Sequence, residues 1–145
     1  MREAVLGFAI VSNCRRIALL ALFAVVFAAP RAAQALPPTL DGRLSCVVAS
    51  KVMVCTVALQ PSATSHITWA EASVVLAPPF VQAVRSKATY TGGAPKNPQM
   101  YLVFTPNGTG DGSLIVHVNA IVCADNGTAC PAASKVLQLP VHYGG

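Results

Sequence analysis

The nine residues 114–122, Leu-Ile-Val-His-Val-Asn-Ala-Ile-Val, constrain the fold most, because their character alternates from one position to the next. Leu114, Val116, Val118 and Ala120 share one side, while Ile115, His117, Asn119 and Ile121 share the other. A period of two sends successive side chains to opposite faces of a pleated strand, whereas an amphipathic helix needs apolar residues three and four apart. Residues 136–141 repeat the pattern, with Leu137, Leu139 and Val141 on one face. Further β-rich runs cover 44–50, 52–59, 67–76 and 100–104. They are punctuated by Pro78-Pro79 and Pro106-Asn107-Gly108, and by Gly110-Asp111-Gly112, read as a turn before the 114–122 strand. Short strands separated by such breakers predict an all-β, Ig-like β-sandwich. Low charge and abundant Val, Thr, Ala, Pro and Gly agree with strands and turns rather than helices. Residues 83–98, AVRSKATYTGGAPKNP, are the least strand-like and read as a long loop. Trp69 reads most simply as a core residue of the sandwich.

The start of the chain has a separate logic. Arg2, Arg15 and Arg16 precede the apolar run IALLALFAVVFAA at 17–29, and Ala33-Gln34-Ala35 follows with small residues suited to a signal peptidase. The run is shorter than the roughly 20 residues of a membrane span. Residues 1–35 are therefore expected to be a cleaved signal peptide, and 36–145 a single domain that is periplasmic or secreted, with no membrane span. An uncleaved anchor is the alternative. Removal of 1–35 takes four of the ten Lys and Arg and one of the five acids, leaving six minus four, a net charge of +2. The high pI of the whole chain thus gives no reason to expect a nucleic-acid partner, and the remaining basic residues are scattered.

Cys14 falls in the leader; Cys46, Cys55, Cys123 and Cys130 follow it. An even number in an exported domain reads as two disulfides, for which four cysteines allow three pairings. Nearness in sequence favours Cys46 with Cys55 and Cys123 with Cys130. The first pair lies in apolar surroundings (SCVV and MVCTV) and reads as a structural staple. The second flanks the polar loop 124–129, whose Asn126-Gly127 suits a tight turn, and Pro131 restricts the backbone of Cys130. A solvent-facing loop gives a partner thiolate the access that disulfide exchange requires. No Lys, Arg or His adjoins either cysteine in sequence to stabilise a thiolate, and Asp125 disfavours one. On spacing alone, a staple and a redox pair both stand.

The run 118–131, VNAIVCADNGTACP, with KVLQLPV at 135–141, resembles the C-terminal part of the N-terminal periplasmic domain of DsbD, the membrane thiol-disulfide interchange reductase. The stretch from Ile67-Thr68-Trp69 to Ala77-Pro78-Pro79 is similar to an upstream strand of that family. The resemblance implies an Ig-like sandwich whose cysteine pair takes electrons from a membrane donor and passes them to thioredoxin-like periplasmic oxidoreductases. By position, Cys130 would form the mixed disulfide and Cys123 would resolve it. Asp125 and Pro131 would support the site, and Tyr90, in the place of the family's cap loop, would shield the disulfide. The chain departs from the family by having six residues between these cysteines and none between Cys130 and Pro131. It also carries the additional pair Cys46 and Cys55, and residues 36–145 are expected to hold neither the transmembrane electron conduit nor the thioredoxin-like domain.

No metal or other cofactor is expected, since His66, His117, His142, Met53 and Met100 lack ligand spacing. Two functions of different kinds remain: a thiol-disulfide exchange domain acting through Cys123 and Cys130, or a non-catalytic exported sandwich that binds a protein or ligand through its loops. Whether the chain is an enzyme stays open at this point.

Overall fold

A computed structural model describes residues 38–92, 96–127 and 129–144; the expected signal peptide lies outside the described residues. The described chain forms strands β1 (Leu40–Ala49), β2 (Val52–Pro61), β3 (Ser65–Leu76), β4 (Val81–Arg85), β5 (Lys87–Thr91), β6 (Gln99–Pro106), β7 (Gly110–Ala124) and β8 (Ala132–Tyr143). They make two antiparallel sheets, ordered β1-β2-β6-β4 and β5-β3-β7-β8. Equating β1, β2 and β3 with the first three strands of an Ig domain, and β6, β7 and β8 with its last three, reproduces the Ig pairing. The fold is an all-β sandwich, as the alternation requires. Among the described residues no helix is long and apolar enough to cross a membrane.

The core is the meeting of the two inner faces. β2 contributes Met53, Cys55, Val57 and Leu59, β6 contributes Met100, Leu102 and Phe104, and β7 contributes Leu114, Val116, Val118, Ala120 and Val122. Every second residue is buried along each of these runs, which fixes register, since a slip by one would turn the apolar set to water.

Three expectations are corrected. Residues 83–98 are not one long loop: β4 and β5 occupy much of this stretch. β4 pairs with β6 in the first sheet, and after Ser86 the chain enters the second sheet, where β5 pairs with β3. A register shift between Ala83 and Arg85 makes the corner, and Val74 N–H donates to Ser86 O at 2.9 Å to fix it. The strands are five residues each and at sheet edges; β4 shows no alternation, and that of β5, with Ala88 and Tyr90 inward, is too short to stand out in the sequence. Gly110-Asp111-Gly112 is not a turn but the start of β7, paired with Val141, His142 and Tyr143. Gly112 serves there because a β-carbon would stand 2.9 Å from Pro78 Cβ. Trp69 is not part of the core cluster; it pairs with Ile121, itself exposed, while the neighbouring pair Ala70–Ala120 points inward.

Candidate functional site

β7 and β8 form a hairpin whose ladder runs past the end of β8. Beyond the Ile121–Ala132 pair, Val122 N–H donates to Pro131 O at 3.1 Å and Ala124 N–H to Ala129 O at 2.9 Å. Cys123 and Cys130 therefore face each other directly across the hairpin and are joined, with Cα atoms 4.0 Å apart. Pro131 accepts from Val122 but has no N–H to return, so the ladder lacks one bond beside Cys130. The loop tip is a β-turn over residues 124–127, closed by Gly127 N–H to Ala124 O at 2.9 Å. Gly127 carries a positive φ, +72°. Asn126 stands before it in the turn.

Val122 points into the core, so Cys123 points to the outer face and is absent from the core cluster. It is nevertheless only 6% exposed, while Cys130 is exposed. β3 provides the cover. His66 stands opposite Cys123 in the β3–β7 register, and a bulge between Ile67 and Trp69 brings in an extra residue, Thr68. The Thr68 hydroxyl lies 3.8 Å from Cys123 Sγ and donates to Ile121 O at 3.3 Å. Bulges commonly re-aim side chains beside functional sites. This one is fixed by Gly92, whose N–H donates to Thr68 O at 2.7 Å and where a β-carbon would sit 2.9 Å from that oxygen.

Asp125 connects the loop to the rest of the site. Its N–H donates to Thr64 O at 2.9 Å, its Oδ1 lies 2.9 Å from His66 Nδ1, and its Oδ2 lies 3.8 Å from Lys96 Nζ. Both pairs are substantially exposed, so they orient the loop more than they stabilise it. His66 and Lys96 are the contributions that sequence reading missed, for they lie far from the cysteines along the chain. Only the bulged pairing of β3 with β7 and the return of the chain after β5 bring them near.

Tyr90 is placed otherwise than expected of a shield. It pairs with Ala70 and packs against the core from β5, on the opposite face of the sheet from Cys123. The three histidines are not brought together: in the ladders His66 meets Cys123, His117 meets Ser73 and Val136, and His142 meets Asp111, six residues apart along β7. Met53 and Met100 are in the core.

Cys46 and Cys55 are likewise joined directly across a hairpin, β1–β2, with Cα atoms 4.0 Å apart. Here the sulfurs face inward: Cys55 is fully buried and Cys46 packs against the core. No family model matches this chain, and no curated protein matches it.

Proposed function

We propose that the chain is a thiol-disulfide exchange domain acting through Cys123 and Cys130, and that it works in an oxidising compartment, periplasmic or extracellular. The observation that carries this reading is the asymmetry of the bridge, with Cys130 exposed and Cys123 6% exposed. An incoming protein thiolate meets one sulfur and not the other. It attacks Cys130 Sγ in line with the existing bond, forms a mixed disulfide, and expels Cys123 as a thiolate. The Thr68 hydroxyl, 3.8 Å from that sulfur, stabilises the thiolate by turning its one proton from Ile121 O to the sulfur as charge develops. A second thiolate on the partner then attacks its own mixed-disulfide sulfur and releases Cys130. The partner leaves as a disulfide, and its two electrons and two protons remain as the Cys123 and Cys130 thiols. Run in reverse, Cys130 attacks a partner disulfide and Cys123 resolves the adduct, reducing the partner.

The resemblance to the DsbD N-terminal domain suggests the partners: a thioredoxin-like oxidoreductase and a membrane electron donor. The chemistry uses no cofactor.

Thiol trapping across a series of redox buffers tests the reading. Cys123–Cys130 is expected to open above the roughly −300 mV that marks structural bonds, and Cys46–Cys55 below it. Cys123→Ser should leave Cys130 able to trap a thioredoxin-like protein as a mixed disulfide, and Cys130→Ser should trap none. Equal resistance of both bridges, with no adduct, would replace exchange by the non-catalytic binding scaffold.

A further inference from the structure

We propose that Trp69 and Ile121 form the docking platform on which a folded dithiol protein sits while its thiolate attacks Cys130; this rests on the exchange reading. Trp69 is the only tryptophan in the sequence. It stands half-buried on the outer face of the second sheet, between Thr91 of β5 and Ile121 of β7. Ile121 is 38% exposed, and its partner on β8 is the small, exposed Ala132, which leaves the Trp–Ile pair open on that side. An aromatic that would bury well in the sandwich is instead held outside it, immediately after the bulged Thr68 that borders Cys123.

The position says what lies on it. Ile121 and Cys123 are two residues apart on one face of a strand, a spacing of about 7 Å. A sulfur bonded to Cys130 is only about 2 Å from it. In-line attack brings that sulfur in on the β8 side of the bridge, and a folded partner, which at a standard interface covers roughly 800 Å² of each surface, extends from there across Ile121 to Trp69. A small thiol reaches Cys130 without covering them. The charges around the platform are already paired: His66 and Lys96 with Asp125, and Lys87 with Glu71 at 3.4 Å. This favours a partner whose dithiol is surrounded by apolar, uncharged surface. Aromatic anchors beside a reactive group are where association energy concentrates.

The test compares two reductants of the Cys123–Cys130 disulfide, reduced thioredoxin and dithiothreitol, on the protein purified from expression of the full chain. Trp69→Ala is expected to lower kcat/KM with thioredoxin by about tenfold while changing the dithiothreitol rate less than about twofold. Ile121→Thr, which keeps a β-branched residue in the strand, should show a smaller loss of the same kind and decides the matter if Trp69→Ala does not fold. Equal losses with both thiols would overturn docking, since the residues would then shape the disulfide itself. Unchanged rates with both would overturn it too. A wild-type bridge that neither reductant opens would sink the exchange reading and the platform with it.

Discussion

The two disulfides are the same device turned to opposite faces. Each joins directly opposed residues of an antiparallel hairpin, with Cα atoms 4.0 Å apart and sequence separations of 9 and 7. Chain entropy barely distinguishes loops so alike: the loop-closure relation gives about 2.5 kcal/mol for either. What differs is the direction of the strand at that position. On β2 the cysteine falls in the inward set with Met53, Val57 and Leu59; on β7 it falls in the outward set with Ile121. Strand parity alone decides that one bridge turns to the core, with Cys55 fully buried and Cys46 partly so, while the other lies beside the bulge of β3 with Cys130 in reach of solvent.

The largest expected effect follows from this. Cys46→Ala with Cys55→Ala loses both the cross-link and well-packed core sulfur, and should lower the unfolding free energy by about 3–5 kcal/mol. Cys123→Ser with Cys130→Ser loses the cross-link and only the packing of Cys123 against the outer face, and should cost about 2–3 kcal/mol. Denaturant titration of the two double variants measures the difference. A loop pair costing as much as the core pair would mean that packing around Cys123 matters as much as packing around Cys55, and the contrast would fail.

Sequence and structure divide along the same line as the two bridges. The inward-facing half was legible in part: alternation at 114–122 and 136–141 separated the two faces of β7 and β8, one of which lines the core, and nearness in sequence paired the cysteines as the structure joins them. The outward half was not. Its residues meet through the β3–β7 register, and a one-residue bulge at Thr68 carries no pattern of its own. Trp69 was misread for that reason, since composition says that tryptophan buries well but only register says on which face it falls. β4 and β5 escaped because five-residue edge strands, held largely by backbone pairing to β6 and β3, give too few positions for a pattern to register. His66 and Lys96 meet Asp125 only after the chain has crossed between sheets.

The hairpin turns sharpen the comparison at a smaller scale. Each needs a left-handed residue: the β1–β2 turn uses Ser50, φ 59°, and the β7–β8 loop uses Gly127, φ 72°. Glycine adopts this region without penalty, whereas a residue with a β-carbon does not. A β-carbon at Gly127 would meet nothing within 4 Å, so Gly127→Ala isolates the backbone cost, and thermal unfolding should show a loss of about 1 kcal/mol. Ser50→Gly should gain about 0.5 kcal/mol, the relief being partly offset by glycine's freedom in the unfolded chain. A loss at Ser50 would mean that the serine side chain, not the backbone, holds that turn.

The smallest effect lies where the two hairpins meet. Lys135 of β8 donates to Asp41 of β1 at 2.8 Å, bridging the edges of the two sheets. The hydrogen bond and the charge of Lys135 hold the Asp41 carboxyl below its ordinary value of 3.8. Because the folded value is the lower one, the folded chain binds this proton less readily than the unfolded chain. The pair's contribution is therefore fully present above the unfolded pKa, about 3.9, and is lost as pH falls through the lower folded value. Asp41 is exposed, and salt screens the pair, so the contribution is small. Lys135→Met should lower the unfolding temperature slightly at neutral pH and low salt, and its curve should converge on that of the unsubstituted chain as the solution is acidified below about pH 4. A difference that persists in acid or in high salt would show that the stem of Lys135, packed between the sheet edges, contributes through contact rather than charge.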